Sequence, residues 1–239
     1  MSFTLHHREI LGLYGLVGSG RSELARALMG LEKIMSGEVL VDGRRASIRG
    51  VRQASRKYHM GYVTENRKEE GLFLILSVTT NVAATVWDQL SALLGLVPKG
   101  AERDLAQRYV ERLDIKVSSV AQQAATLSGG NQQKVSLAKW LAADTRILII
   151  DEPTIGIDVR TKNAFHELIW ELASRGSSII LISSDMPEMV RLADRILVMS
   201  AMKLVGEVAN THDYDDMSQA IINLIHAAEP REDTIAQTA

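Results

Sequence analysis

A glycine-rich octapeptide near the start of the chain constrains the possible fold more than any other segment. Residues 15–22 read Gly-Leu-Val-Gly-Ser-Gly-Arg-Ser. The apolar run 10–14 precedes them and predicts a buried strand, and the segment 22–29 predicts a helix. A strand, a tight glycine turn and a helix in this order aim backbone N–H groups and the positive end of a helix dipole at one anion, typically a phosphate.

The residues of this loop match a phosphate-binding pattern with one departure. The predicted nucleotide-binding residues are Gly15, Gly18, Ser19, Gly20, Arg21 and Ser22. The glycines permit the tight backbone, and the hydroxyl of Ser22 is a predicted ligand for Mg²⁺. Arg21 stands where the pattern has lysine; it keeps the charge, but its planar guanidinium is bulkier than an ammonium group. Taken alone, the octapeptide is equally compatible with an ordinary glycine-rich turn.

A second apolar run ends in two carboxylates. Residues 147–150 read Ile-Leu-Ile-Ile, and Asp151 and Glu152 follow. Such a continuous run is typical of a parallel strand covered on both faces, and the carboxyl end of such a strand is where open α/β sheets bind ligands. Asp151 is therefore a predicted Mg²⁺ partner, either directly or through another ligand of the cation, and Glu152 is predicted to polarise an attacking water. The alternative for Glu152 is an acid that caps a helix or faces solvent.

Between these segments lies a second candidate anion site. Residues 127–130 read Leu-Ser-Gly-Gly and run into a segment that carries apolar residues at helical spacing. Because Ser-Gly-Gly begins a predicted helix, its backbone N–H groups are free to meet an anion. The alternative is that Ser128 merely caps the helix.

At these residues the chain resembles the nucleotide-binding domain of ABC (ATP-binding cassette) transporters, over essentially its whole length. Segments 65–72, 127–134 and 152–159 are similar to those of monosaccharide importers of the ribose, galactose and xylose type. In those systems one polypeptide carries two cassettes, and the degenerate features here resemble the second, C-terminal one. The resemblance implies an α/β fold: a P-loop NTPase (RecA-like) core with a mostly parallel sheet, a small antiparallel β subdomain and an α-helical subdomain.

We expect three parts along the chain. The core takes residues 1–71 and 131–228, the helical subdomain takes 72–130 and ends in the signature motif, and 229–239 form a disordered tail. Short strands at 36–43, 46–48 and 60–63 are expected to build the antiparallel layer. Later apolar runs at 179–182 and 196–199 alternate with helical patterns at 160–174 and 187–193, which indicates a parallel sheet wrapped by helices; 204–208 predict an edge strand and 214–226 a last helix.

The resemblance also implies roles for residues, with ATP and Mg²⁺ as cofactors. Gly156 and Asp158 fall in the loop that crosses the interface between two cassettes; Asp158 could equally cap the helix that starts at Val159. The signature residues that would serve the nucleotide of the partner cassette are Ser128, Gly129, Gly130, Asn131 and Gln132.

Three positions depart from the hydrolytic pattern of the family. Arg21 replaces lysine, Glu65 stands where the family has a glutamine that senses Mg²⁺ and the attacking water, and Ser184 takes the catalytic position of a histidine. The carboxylate of Glu65 can still ligate the metal, but a serine cannot make the reach of an imidazole. Losing one oriented donor, worth ~2.7–4 kcal/mol in the transition state, slows hydrolysis by about 10²–10³. We expect ATP to bind here and to turn over slowly.

Composition excludes several other classes of protein. The formal charge of −2 gives no electrostatic footprint for nucleic acid, and the absence of cysteine rules out disulfides and Cys-ligated metals. The apolar window 83–97 is shorter than the ~20 residues of a membrane-spanning helix. Membrane contact is therefore expected through partners only.

The resemblance implies these partners: a second cassette, expected in the N-terminal half of the same polypeptide, membrane permease subunits, and a secreted or periplasmic sugar-binding protein. It places the chain at the cytoplasmic face of the cell membrane. The residues before Gly15 offer no obvious aromatic platform for adenine, so we expect the chain to begin inside a longer polypeptide. Nucleoside importers with similar cassettes, ABC ATPases that act on DNA or ribosomes, and a regulatory nucleotide-binding module remain alternatives.

Overall fold

A six-stranded sheet forms the centre of the molecule. The computed structural model describes residues 1–91, 97 and 99–228. Its strands are β1 (Ile10–Gly15), β2 (Val39–Val41), β3 (Arg44–Ala46), β4 (Met60–Val63), β5 (Ile147–Asp151), β6 (Ser178–Ile182), β7 (Arg195–Ser200) and β8 (Lys203–Ala209). Its helices are α1 (Arg21–Leu28), α2 (Val51–Tyr58), α3 (Val78–Ala83), α4 (Trp87–Leu90), α5 (Lys99–Arg112), α6 (Gly129–Ala142), α7 (Val159–Ser174), α8 (Met186–Leu192) and α9 (Tyr214–Ala228).

The sheet order is β4-β5-β6-β1-β7-β8, and only the edge strand β8 runs antiparallel to its neighbour. Leu148, Ile149 and Ile150 of β5 are fully buried, which requires cover on both faces of the sheet. Helices α2 and α6 pack near β4, and α8 packs against β1. The predicted parallel sheet wrapped by helices is confirmed, as are the edge strand β8 and the last helix α9.

The assignment of residues 60–63 to the small antiparallel layer is wrong. Strand β4 pairs in parallel with β5, with Met60 opposite Ile147 and Val63 opposite Ile150. All four residues of β4 are buried, so the strand needs cover on both faces and cannot lie in an exposed hairpin. Within the described residues the antiparallel layer consists of β2 and β3, joined through Asp42 and Gly43, both with positive φ.

Helices α3, α4 and α5 occupy the region predicted to be helical. Tyr109 of α5 and Leu113, just after this helix, are buried, and the Tyr109 hydroxyl donates to the carbonyl of Leu141 in α6 at 2.8 Å. The division at residues 72 and 130 stays a prediction, and the tail 229–239 lies outside the described residues. Of the helices in the described part of the chain, none has the length and apolar character that crossing a membrane demands.

Candidate functional site

The glycine-rich loop joins β1 to α1 at the carboxyl edge of the sheet. Gly18 has φ 80° and Gly20 has φ 100°, in the left-handed region that favours glycine. Gly15 is required for a different reason: a Cβ there would lie 2.5 Å from the carbonyl oxygen of Met199 and 2.5 Å from the Ser19 hydroxyl. The sequence pattern of the loop therefore reflects its backbone geometry and its packing.

The turn between β7 and β8 braces this loop. The backbone N–H of Met202 donates to the carbonyl of Ser19 at 3.0 Å, and the Met202 sulfur lies 2.5 Å from where a Cβ on Gly20 would be. Ala201 and Met202 have φ 46° and 62°, a conformation that costs non-glycine residues about 1–3 kcal/mol each. Sequence reasoning missed this contact because Ala-Met lacks the Asn-Gly chemistry of such turns.

Arg21 and Glu152 form a buried ion pair beside the loop. Nη1 of Arg21 lies 3.3 Å from Oε1 of Glu152, and both side chains are less than one-tenth exposed, at 9% and 7%. Burial raises the pKa of Glu152, and the nearby Ser184 and Arg21 only partly offset this rise. Glu152 is thus neither a helix cap nor a solvent-facing acid. Three residues predicted from separate segments of the sequence meet at one point.

Asp151 lies beside this pair, at the end of β5. Its Oδ2 accepts a 2.9 Å hydrogen bond from the buried hydroxyl of Tyr62. Burial raises the pKa of Asp151; the hydroxyls of Tyr62 and Ser22 act against that rise, and the carboxylate of Glu65 adds to it. Burial, with Asp151 nearby, raises the pKa of Tyr62 in turn. Sequence reasoning missed Tyr62 because it had placed β4 outside the main sheet.

The residues at this edge fit a phosphate group and a hard cation. The Ser19 hydroxyl and Oδ1 of Asp151 are buried without a hydrogen-bond partner, which supplies one donor and one anionic oxygen. Within the described residues no group of three or more His, Cys, Asp or Glu side chains could hold a metal by itself. Mg²⁺ sites of this kind use one or two carboxylates and complete the shell with phosphate oxygens and water.

The signature segment lies at the start of α6. Ser128 is exposed and occupies the N-cap position, but its side chain makes no cap hydrogen bond; its hydroxyl instead accepts from the Asn131 amide at 2.9 Å. The amide of Gln132 donates to a backbone carbonyl at 3.1 Å and is buried. A Cβ on Gly130 would collide with the Thr161 methyl of α7. The segment therefore rests directly on the helix that follows the predicted dimer loop.

The predicted dimer loop contacts this segment. A Cβ on Gly129 would lie 3.1 Å from the carbonyl oxygen of Gly156. Oδ1 of Asp158 accepts the backbone N–H of Thr161 at 3.0 Å, so Asp158 caps α7. Ile155 and Val159 are exposed apolar residues at either side of the loop. Exposed apolar side chains beside the exposed Ser128 of the signature segment suit contact with another molecule.

Comparison with known proteins agrees with this geometry. The ABC transporter family matches residues 1–155, and the chain belongs to that family. Ribose import ATP-binding protein RbsA 2 of Streptomyces avermitilis is 41% identical over 220 residues, which cover 92% of this chain and 43% of that protein. Ribose import ATP-binding protein RbsA of Lacticaseibacillus paracasei is 44% identical over 206 residues, 86% of this chain and 41% of that protein.

The chain thus spans about two-fifths of the length of the curated relatives that it matches. Among solved structures, an ATP-binding cassette of an ABC transporter in its ADP conformation has a TM-score of 0.78 at 17% identity, covering 96% of this chain and 91% of that chain. A dimeric ATP-binding cassette in a post-hydrolysis state has a TM-score of 0.73 at 20% identity, covering 87% and 88%. These likenesses establish the fold, that of a P-loop NTPase with a mostly parallel α/β sheet.

Proposed function

We propose that this chain is an ATP-binding cassette that powers the import of a monosaccharide through membrane permease subunits at the cytoplasmic face of the membrane. Its partner would be a second cassette, in the N-terminal half of the same polypeptide, and a sugar-binding protein would deliver the substrate. The relatives are named ribose import ATP-binding proteins, which supports a monosaccharide as the transported substrate. The observation that carries the proposal is the cluster at the carboxyl edge of the sheet, in which the buried Arg21, Asp151 and Glu152 meet the hydroxyls of Ser22 and Ser184.

In this proposal the backbone of residues 16–20 and the Ser19 hydroxyl hold the phosphates of ATP. Ser22 and Asp151 hold Mg²⁺, with Glu65 close enough to add a carboxylate. When bound, the cation neutralises charge that develops on the phosphate oxygens. Glu152 orients the attacking water and accepts its proton, a role that the raised pKa of its carboxyl group favours.

Two features make this site slow. The positive charge of Arg21, 3.3 Å from the Glu152 carboxylate, lowers the basicity of that carboxylate before any water arrives. Ser184 is exposed and too short to replace an imidazole near the terminal phosphate. The signature loop, by contrast, is unbroken, and its N–H groups would meet the nucleotide of the partner cassette. The chain would therefore contribute more to the partner's site than to its own.

Transport assays test this assignment. Ser128→Arg places a bulky side chain on an exposed position of the signature loop, and we expect it to stop sugar uptake by vesicles carrying the complete transporter. Ser22→Ala damages only the slow site, so uptake should fall modestly. Nucleotide binding by the purified chain should survive Ser128→Arg, and the purified chain should hydrolyse MgATP poorly. If Ser22→Ala abolished uptake while Ser128→Arg was tolerated, the roles would be reversed.

A regulatory module that binds nucleotide without hydrolysis is the second candidate, and the Arg21–Glu152 pair favours it. A nucleoside importer is a third, because the substrate would be chosen by the permease and the binding protein. Uptake measured with labelled ribose, galactose and nucleosides separates the two importers. Complete insensitivity of uptake to Glu152→Gln, together with normal nucleotide binding, would favour the regulatory module.

A further inference from the structure

A π-helical turn follows Glu65 and links three parts of the molecule. The turn spans Arg67–Gly71, a rare geometry that is frequent at functional sites. At its far end the Lys139 ammonium of α6 donates to the carbonyl of Gly71 at 2.5 Å, and burial lowers the pKa of Lys139 to about 8. On its outer side Glu70 pairs with Arg26 of α1 at 3.2 Å. The turn is thus fixed to both the signature helix and the helix after the phosphate loop.

Arg67, the first residue of the turn, contacts the signature and dimer loops together. Its Nη1 donates to the carbonyl of Ile155 at 3.2 Å. Its Nη2 lies 2.9 Å from where a Cβ on Gly129 would be and 3.8 Å from that on Gly156. The guanidinium therefore fills a corner that exists because residue 129 is glycine, whereas a Cβ on Gly156 would make only an ordinary contact with it. Burial lowers the pKa of Arg67, whose Nε is enclosed without a hydrogen-bond partner.

We propose that Arg67 is a positioning residue that holds the signature loop, residues 128–130, in fixed register with the dimer loop, residues 154–158. The signature can complete a partner's nucleotide site only if its N–H groups reach the phosphate at the correct distance, and a misplacement of 1 Å costs about 10²-fold in rate. A planar guanidinium can bond to one loop while it lies flat against the other. A lysine ammonium is a compact charge and can do only the first. This inference rests on the proposed function.

A first experiment needs only the purified chain and no ligand. Arg67→Ala should speed amide hydrogen exchange at residues 128–132 and 155–158 by about 10-fold, with Arg67→Lys in between, because opening of these loops is a local event. The melting temperature should stay within about 3 °C of the parent, since only one hydrogen bond is lost. Lys68→Ala is the matched control: an exposed cation in the same turn, whose replacement should leave both loops unchanged.

Unchanged exchange in Arg67→Ala would overturn the inference. So would faster exchange throughout the chain together with a lower melting temperature, because that result describes a merely structural residue.

A second experiment uses the complete transporter. Arg67→Ala should lower kcat for ATP hydrolysis by 10- to 100-fold with little change in KM, because the defect is in alignment and not in nucleotide capture. Gly129→Ala places a methyl group against the guanidinium. The loss of kcat that this substitution causes should therefore be smaller when Arg67 is already alanine. Additive costs in this cycle, or normal kcat in Arg67→Ala, would overturn the inference. A parent transporter without ATP-driven uptake would instead overturn the proposed function, and the exchange experiment would still decide the role of Arg67.

Discussion

Breaking the ion pair between Arg21 and Glu152 should destabilise the protein in a strongly pH-dependent way. Arg21→Met keeps an unbranched apolar stem and a similar helix propensity but leaves Glu152 buried without its cation. Removing one partner of a buried pair costs about 3–5 kcal/mol. Glu152 can avoid an unpaired charge by binding a proton. At pH 7 this costs about 3.4 kcal/mol, because pH 7 is 2.5 units above the ordinary glutamate pKa of 4.5 and each unit is about 1.36 kcal/mol.

The parent already carries part of this cost because its own Glu152 pKa is raised, so the expected loss is at most about 3 kcal/mol at pH 7, or a fall in melting temperature of at most about 6–12 °C. Because burial raises the pKa of Glu152 in the folded state, the folded chain binds more protons than the unfolded chain above pH 4.5, and its stability falls as the pH rises through that window. Arg21→Met raises this pKa further, so its deficit should be largest at pH 7 and should vanish as the pH falls to about 4.5.

Urea unfolding of Arg21→Met, Glu152→Gln and the double variant at both pH values measures these quantities. The double variant should recover most of the loss, because no unpaired charge remains. Arg26→Met is the control: Arg26 lies on the same helix but pairs with exposed carboxylates, so its loss should stay below about 1 kcal/mol at either pH. A deficit for Arg21→Met that is independent of pH, or single losses that simply add, would refute the reasoning.

Three further experiments test other parts of the site. Arg21→Lys, Glu65→Gln and Ser184→His combined should raise ATP turnover more than any one alone, because the groups act on one transition state; gains that merely add would show that they act separately. Gly130→Ala should lower the free energy of unfolding by about 1–3 kcal/mol, since its methyl would overlap one on α7, and an unchanged urea midpoint would contradict this. Asp151→Asn should raise stability above that of the parent at pH 7 but not below pH 3.8, since burial raises the pKa of this carboxyl group. A difference in melting temperature between variant and parent that is the same at both pH values would count against that cause.

Local pattern was enough to predict most of the sheet. The apolar run of β5 and the carboxylates at its end indicated a covered parallel strand with its ligand edge, and both are present. The same rule, that a short run without charged residues is a covered parallel strand, would have placed Met60–Val63 in the main sheet. These residues read Met-Gly-Tyr-Val, and all four are buried. Its nearness in sequence to the short exposed strands led to the wrong partner. The local pattern indicates a strand, whereas the pairing of β4 with β5 joins segments far apart in sequence and is accompanied by packing of α2 and α6 near β4.

The side-chain contacts around the site were harder to predict from the sequence. Tyr62 and Asp151 are separated by 89 residues, and Arg67 and Ile155 by 88. No spacing rule links residues so far apart, and each side chain is consistent with an ordinary strand or turn when taken alone. The glycines, serines and carboxylates of the loops were found because backbone geometry and charge impose a short local pattern on them.

If selection for ATP chemistry were relaxed, the glycines of this site would be retained and the Glu152 carboxylate would not. A Cβ at Gly15 or Gly130 would collide with the chain's own atoms, so folding alone would keep glycine at both positions. Glu152 is the opposite case: it is buried, has a left-handed φ of 45° and has a raised pKa, and each of these costs stability. A lineage that retired this site would therefore replace the glutamate together with Arg21, its partner in the ion pair, and keep the glycines long afterwards. Persistence of Glu152 is the better record of chemistry still in use.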